Sequence, residues 1–447
     1  MLLKKQSFEF FAFEYIFIMA LISNYIENYA LWRIGQGTIF ILLFLLYKKS
    51  TKRFLSNYRI TVPVVLYIFL YVASIIASDD YTFLLTNTVK LLAPVLSCLI
   101  ISKLSFDDPS KINKILVANF WIINIWWIAN IIIILIQVSG VPLFIKTEWL
   151  SQNRLYADLC CGLFGYNRTH EICFFSCFVT IFNVSCSKGF IKFKKYLTAF
   201  FVIISVLAAG YVSVFNDNIA FFLFLPAFVL IYLYFYGQLS ESNLRKRVKK
   251  YLIIIISIAV IIFICSSIKP IVDTFDEIVV HRVERVLFAV KLPGATSGSN
   301  ERLAQILYVL DQSESWLFGS GIGHEIVNEH FSNGFAHFGM NSASSSIWLV
   351  GVWTFLLHLV IISQCILTCM HIPKKKRKKF FVVCFFALLV ITSYSNILIS
   401  QSSVVWIALC FVSMSLTDNK YKRIESGEQS CEQLGGIIEK NRNYNTV

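Results

Sequence analysis

This sequence predicts an all-α, polytopic integral membrane protein with about 12 transmembrane helices and one large extracytoplasmic loop. Hydrophobic residues make up 57% of its 447 positions and the mean hydropathy is +0.68, whereas soluble domains are about 45–50% apolar. Continuous apolar runs of about 18 residues or more recur, each long enough to cross a hydrocarbon core about 30 Å thick. Because the runs do not alternate with polar residues, helices rather than barrel strands are expected to satisfy the backbone in lipid.

The apolar runs define the predicted spans in chain order. Two of them are separated only by the polar tip Asn216-Asp217-Asn218. The predicted spans cover residues 8–24, 31–47, 60–78, 82–102, 115–138, 170–187, 196–213, 218–236, 251–268, 342–370, 380–396 and 398–416.

The distribution of positive charge supports an even number of spans. With both termini in the cytoplasm, most of the 40 lysines and arginines fall in cytoplasmic segments, which is the positive-inside pattern. Loss of one span would invert every later loop and break this pattern. The run Lys374–Lys379 is therefore interpreted as a topology anchor beside anionic lipid, and the net charge of +14 requires no nucleic-acid partner.

Several classes of chemistry are disfavoured. The 12 cysteines fall mostly inside predicted spans, where they act as small apolar residues. Cys160 and Cys161 lie near His170 and Cys173, but without the tight spacing of a metal site. No phosphate-binding loop of the Walker type is present, and the cytoplasmic loops are too short for a nucleotide-binding domain. We therefore predict no metal and no cofactor.

Four regions follow from this topology. Residues 1–269 hold the first nine spans, 270–341 form the large loop, 342–416 hold the last three spans, and 417–447 form a polar tail. Within the loop, apolar residues at i, i+3, i+4 and i+7 predict an amphipathic helix over 300–318. Those residues are Leu303, Ile306, Leu307 and Leu310.

A glycine-rich turn is predicted directly after this helix, in the sequence Gly319-Ser320-Gly321-Ile322-Gly323. Its three glycines, Gly319, Gly321 and Gly323, allow positive φ and close approach of the backbone to a ligand.

Three arginines of the loop are candidate phosphate ligands. Arg302 begins the amphipathic helix, where backbone N–H groups and a guanidinium suit phosphate oxygens. Arg282 and Arg285 lie three residues apart and share a helix face, although Glu284 could pair with either. Each arginine could instead be an ordinary solvated surface residue.

A second outside segment, residues 139–169, ends in charged side chains where the sixth span begins. Arg168 could contact a phosphate, and His170 with Glu171 could form a proton-handling pair. Ionisable groups at the mouth of a span are costly unless they are used or solvated, so simple interfacial anchoring is the alternative.

A histidine and an asparagine precede the tenth span. His337 could act as a general base toward a sugar hydroxyl, or be an exposed loop histidine, and it lies shortly before Asn341.

Taken in order, these motifs resemble the bacterial family of O-antigen ligases and O-antigen or capsule polymerases. In that family an arginine-led helix, a glycine turn, a histidine with an asparagine and a glycine in the next span recur in sequence. Three residues separate His337 from Asn341 here, whereas the family pattern sets its histidine directly beside its asparagine. The residues that carry the resemblance are Asn300–Arg302, Trp316–Gly323, His337–Asn341, Ser346–Trp353 and Gly165–Glu171.

The resemblance implies a metal-independent glycosyltransferase in the bacterial inner membrane. Its donor would be an oligosaccharide on undecaprenyl pyrophosphate, and a chain-length regulator protein is a candidate partner. Arg168 and Arg302 would clamp the pyrophosphate with help from Arg285 or Arg282, since arginines can neutralise the leaving group. His337 or Glu171 would activate the acceptor hydroxyl.

Three functions remain open, and we favour a polymerase, because polymerases are more diverse and the motifs here are degenerate. A polymerase would join repeat units, and a ligase would transfer the glycan to a lipid A core. A lipid-linked oligosaccharide flippase belongs to a different class, which tends to place ionisable residues near the bilayer midplane and to show two similar halves.

Overall fold

A computed structural model describes eleven α-helices, the 3₁₀-helices Gly162–Phe164, Ile397–Ile399 and Ser415–Thr417, and their connections. It covers residues 3–26, 56–107, 109–145, 160–165, 168–188, 195–215, 220–239, 317–325 and 341–417, with isolated positions in 35–45 and 305–310. Every regular element there is helical. The helices are α1 Leu3–Ile26, α2 Tyr58–Ile76, α3 Leu84–Asp107, α4 Pro109–Ala118, α5 Phe120–Val138, α6 Thr169–Lys188, α7 Lys195–Phe215, α8 Ala220–Leu239, α9 Ser342–Cys369, α10 Lys374–Tyr394 and α11 Gln401–Met414.

Seven of these helices are long and apolar enough to cross a membrane: α2, α3, α5, α6, α7, α8 and α9. Helices α1 and α11 carry shorter apolar stretches, Phe10–Ile22 and Ser402–Met414, and α10 begins with six basic residues. The coarse class is therefore confirmed as a helical, multi-pass membrane protein. The predicted span 251–268 lies outside the described residues and 31–47 largely so, and twelve spans stay a prediction.

The bundle packs in two groups around α11. Helix α6 packs on α7, α8 and α11, while α9 packs on α2, α3 and α10; α3 also contacts α11. The outer helices expose large apolar side chains such as Phe69 and Leu207. In water such faces would be a liability, but in a bilayer they face lipid.

Polar side chains link the helices inside the bundle. Asn124 of α5 and Asn183 of α6 exchange two amide hydrogen bonds of 3.1 and 2.8 Å, and the indole of Trp127 donates to Ser176 Oγ at 3.3 Å. Such bonds hold helices together where hydrophobic surface alone cannot distinguish a neighbour from lipid.

Helices α2 and α9 run antiparallel. Ser74 Oγ near the end of α2 donates to the carbonyl of Leu349 near the start of α9 at 2.9 Å. Further along, the rings of Tyr67 and His358 meet edge to face with 5.5 Å between centroids. The end of one helix therefore lies beside the start of the other.

Helix α9 is broken near its start. Gly351 has φ 78° and ψ 166°, which interrupts the helical ladder and leaves carbonyls without their usual donors. The Ser320 N–H bonds Trp348 O at 2.7 Å, and Ser74 Oγ bonds Leu349 O. Donors from neighbouring segments thus bond the carbonyl groups at the break, as irregular backbone at membrane depth requires.

Residues 160–165 pack against the C-terminal half of α5. Gly162 N donates to Gln137 Oε1 at 2.8 Å and Leu163 N donates to Asn130 Oδ1 at 2.7 Å. Asn130 lies about 12 Å before the end of α5 at 1.5 Å per residue. The segment therefore re-enters the bundle, and two amide side chains accept the N–H groups at the start of its 3₁₀-helix Gly162–Phe164.

The amphipathic helix expected over 300–318 is described at four positions. Gln305, Ile306, Val309 and Leu310 are helical, whereas Leu317 and Phe318, at the expected end, lie in a turn. Val309 and Gln305 are buried while Ile306 and Leu310 are half-buried, so the most buried described positions are one residue away from the expected apolar stripe.

Candidate functional site

The N-termini of three helices meet at one end of the bundle. Ser400, which caps α11, donates to Glu171 in the first turn of α6 at 2.6 Å. Ser342, the first residue of α9, accepts from Leu398 N at 2.8 Å and donates its own N–H to Ser395 O at 2.9 Å. Because each helix N-terminus carries a partial positive charge, this convergence favours negative charge.

Glu171 lies buried at this convergence. Its Oε1 accepts from Ser400 Oγ and from Arg168 Nη1 at 3.0 Å. No residue in the described ranges donates to its second oxygen, Oε2. A buried carboxylate needs a charged partner, and Arg168 supplies it. The arrangement holds one carboxylate oxygen fixed and leaves the other with acceptor capacity.

Arg168 is positioned by the re-entrant segment. Its backbone N–H donates to Cys161 Sγ at 3.2 Å, and its carbonyl accepts from Ile172 N at 3.3 Å, which begins α6. Its side chain is 19% exposed, against 2% for Glu171. The guanidinium therefore reaches from the buried carboxylate toward the surface.

The expected His170–Glu171 pair is not formed. Both contacts of Glu171 go to Arg168 and Ser400, while the His170 ring stacks on Tyr394 with 6.1 Å between centroids. Adjacent residues on a helix point about 100° apart, and this separates the two side chains.

Asn341 is fully buried and caps α9. Its Oδ1 accepts from Ser344 N at 2.7 Å, and its Nδ2 donates to Gln305 Oε1 at 3.4 Å. Asn341, which was predicted to contact the glycan, therefore has a structural role. It joins Gln305 of the large loop to the first turn of α9.

The glycine turn has the expected backbone, and its close approach is to the protein itself. Gly319 and Gly321 have φ of 70° and 103°. A Cβ on Gly319 would lie 2.5 Å from Trp348 O, and one on Gly321 would lie 2.6 Å from Ser78 Cα. A Cβ on Gly323 would overlap Asp80 O. The three glycines thus seat the turn against α9 and the α2–α3 loop.

Polar side chains of the α2–α3 loop and of α3 hold the glycine turn in place. Asn87 Nδ2 donates to the carbonyls of Ile322 at 2.9 Å and His324 at 2.7 Å. His324 Nε2 lies 2.6 Å from Asp79 Oδ1. Nearby, hydrogen bonds from the side chain and backbone of Thr82 hold the pKa of Asp80 below its usual value.

Four predicted site residues lie outside the described part of the chain: Arg282, Arg285, Arg302 and His337. Their roles stay predictions. In the ranges that the structure covers, no three His, Cys, Asp or Glu side chains converge.

Sequence reasoning missed several polar residues of this end of the bundle. Ser400, Ser342 and Gln305 lie in no motif, and the buried serines of α9 fall inside a predicted apolar span. The one available signal was the run Ser342-Ala343-Ser344-Ser345-Ser346, which is unusually polar for the start of a membrane helix. His358 was also missed, in the middle of the same helix.

No family model, curated protein or solved structure matches this chain.

Proposed function

We propose that this chain polymerises undecaprenyl-pyrophosphate-linked oligosaccharide repeat units into O-antigen or capsular polysaccharide. The observation that supports this most directly is the meeting of the α6 and α11 N-termini at the Arg168–Glu171 pair, with the N-terminus of α9 bonded to the adjoining segment 395–398. Helix N-termini and arginines are the groups that proteins use to bind phosphate. A lipid-linked pyrophosphate is a phosphate ligand that can reach a membrane-embedded site from the bilayer.

In the proposed topology this site faces outward. Lys374–Lys379 lie at the start of α10 and Ser395 directly follows its end, so the basic run and the site are at opposite ends of one helix. The positive-inside pattern assigns the run to the cytoplasm. With twelve spans and both termini cytoplasmic, the reaction takes place at the outer face of the bacterial inner membrane.

The proposed reaction needs a base and a clamp for the leaving group. An acceptor hydroxyl oxygen attacks the anomeric carbon of the donor sugar, and its proton passes to Glu171 Oε2. The bond from that carbon to the pyrophosphate oxygen breaks, and the pyrophosphate departs on its lipid carrier. Arg168 stabilises the developing charge, Arg302 with Arg285 or Arg282 completes the clamp, and His337 orients the acceptor hydroxyl.

A flippase or transporter is the second candidate, because two observations favour it. Helix α9 is broken at Gly351, and discontinuous helices are common at the substrate sites of transporters. His358 lies buried farther along α9 beside Tyr67, and its Nε2 and the Tyr67 hydroxyl are buried without partners among the described residues. An ionisable group inside a span is a default functional candidate.

Deletion of the gene in its host, followed by gel analysis of the surface glycan, tests the proposal. A polymerase predicts collapse of the ladder to a single repeat unit, and neither Glu171→Gln nor Arg168→Ala restores the ladder. Glu325→Gln, which alters an exposed carboxyl, serves as the matched control and restores it. Complete loss of attached glycan would instead indicate a ligase or flippase, and an unchanged ladder would exclude glycan assembly.

A further inference from the structure

Two arginines lie at the end of the bundle away from Glu171. Arg377 is in the first turns of α10, and its Nη2 donates to Gln364 O at 3.3 Å, Gln364 Oε1 at 3.1 Å and Thr368 Oγ1 at 2.9 Å. Arg59 is the second residue of α2. Neither contacts a carboxylate within the part of the chain that the structure describes.

The helix register brings the two arginines to the same level. Tyr67 faces His358 across the antiparallel pair α2 and α9. Arg59 is eight residues before Tyr67 and is therefore level with the residues about eight after His358. Arg377 is bound to the C-terminal turns of α9 at that level, so both guanidinium groups flank the end of the same helix.

Among the described residues, no carboxylate compensates the charge of this pair. Burial lowers the pKa of Arg377, and the positive charge of Arg59 lowers it further. The Nε of Arg377 is buried without a partner in the described structure. Within the described ranges, Arg59 Nε donates to the hydroxyl of Tyr58 at 3.3 Å, and its guanidinium carbon lies 5.5 Å from the centroid of the same ring. Like charges held together are unfavourable, and buried donors are normally bonded, so this arrangement favours the binding of an anion.

We propose that Arg59 and Arg377 together bind one phosphate group, carried by an acidic phospholipid headgroup or by a small soluble phosphate. Guanidinium donors match phosphate oxygens in pairs. The N-terminus of α10 adds favourable backbone dipoles, and the run Lys374–Lys379 raises the local concentration of anions. This site lies apart from the proposed reaction and does not depend on it.

The test uses the full-length protein, delipidated and reconstituted in phosphatidylcholine nanodiscs. Phosphatidylglycerol is titrated in, and native mass spectrometry measures its binding with and without inorganic phosphate as competitor. Arg59→Gln is the principal variant, because the side chain of Arg59 bonds its sequence neighbour Tyr58 in the described structure and its loss should spare the fold. Arg377→Lys is the second variant, which keeps the charge and removes the guanidinium. Lys378→Gln is the matched control, since it removes an equal charge one residue from Arg377.

We expect one saturable phosphatidylglycerol site that Arg59→Gln weakens about tenfold, the effect of losing a charged hydrogen bond. Lys378→Gln should change it less than about twofold, because exposed charges are screened. Phosphatidylglycerol that inorganic phosphate does not displace would identify the lipid as the ligand. Displacement by phosphate, in a manner that requires Arg59, would identify a soluble phosphate. Equal weakening by Arg59→Gln and Lys378→Gln, or the absence of a saturable site, would overturn the proposal.

Discussion

The two ends of this bundle hold arginines in opposite electrostatic settings. At the proposed outer end, Arg168 is bound to the buried carboxylate of Glu171, which Ser400 also contacts. At the other end, the partners of Arg59 and Arg377 among the described residues are neutral groups. The first site is balanced by the chain itself, whereas the second, in our proposal, is completed by a bound phosphate group. Internal balance favours a fixed catalytic geometry, whereas uncompensated charge favours ligand binding.

The largest effect is expected for Glu171→Gln. This change keeps the shape of the side chain and removes its basicity, and a general base contributes about 10²–10⁴-fold to rate. Glycan polymerisation by the purified protein, measured with a lipid-linked repeat unit, should fall by about 100-fold or more. A Glu171→Gln variant that retained the wild-type rate would mean that the Arg168–Glu171 pair is structural and takes no part in the reaction.

Substitution of an arginine should change the free energy of unfolding very differently at the two ends of the bundle. Arg168→Gln leaves Glu171 buried without its charged partner, and breaking a buried pair costs about 3–5 kcal/mol. Arg59→Gln removes repulsion from Arg377, so the free energy of unfolding should stay equal or rise. Thermal unfolding in phosphatidylcholine compares both variants with wild type. Equal losses in the two variants would contradict the comparison.

Close backbone packing at the proposed outer end gives the next prediction. Gly323→Ala forces a methyl group onto Asp80 O and should destabilise the fold by about 2 kcal/mol or more, as overpacking does. Gly210→Ala in α7 meets only the rings of Phe222 and Phe221, at 3.9 and 4.0 Å, and is the matched control. Unfolding midpoints of the two variants measure the difference. A neutral Gly323→Ala would mean that the turn is not seated on the α2–α3 loop.

A smaller effect distinguishes two tyrosines between the ends. Tyr71 Oη donates to Thr88 Oγ1 at 2.8 Å, so Tyr71→Phe should cost about 1 kcal/mol. Tyr67 Oη is buried without a partner in the described residues, so Tyr67→Phe should be neutral or stabilising. Loss of stability in Tyr67→Phe would show that water or a substrate group occupies the space beside His358, which would strengthen the transporter alternative.

The smallest effect concerns pH at the α2–α3 loop. The pKa of Asp80 is lowered, first by the Thr82 hydroxyl and then by the Thr82 backbone and the nearby His324. A carboxyl with a depressed pKa contributes stability above its unfolded pKa of about 4, and this contribution is lost as pH falls through the folded value. The stability difference between wild type and Thr82→Val should therefore be present at neutral pH and shrink below about pH 4. A difference that did not change with pH would exclude this hydrogen bond as the cause.

The sequence by itself determined the class of this protein and most of its helices. Runs of apolar residues long enough for a bilayer predict spans from local composition alone, and helices are present in nearly all of the predicted regions that the structure describes. The glycine turn was predicted equally well, because positive φ at Gly319 and Gly321 is a local backbone property.

Only the tertiary structure decided which side chains meet. Glu171 and Ser400 are 229 positions apart, and no periodicity in either segment encodes their contact. The break in α9 depends on Ser320 and Ser74 from two other segments, which supply donors to carbonyls that Gly351 leaves without partners. Local pattern specifies the helix and its apolar faces, whereas pairing of buried polar groups depends on how distant helices pack, because each such group must find its partner inside the bundle.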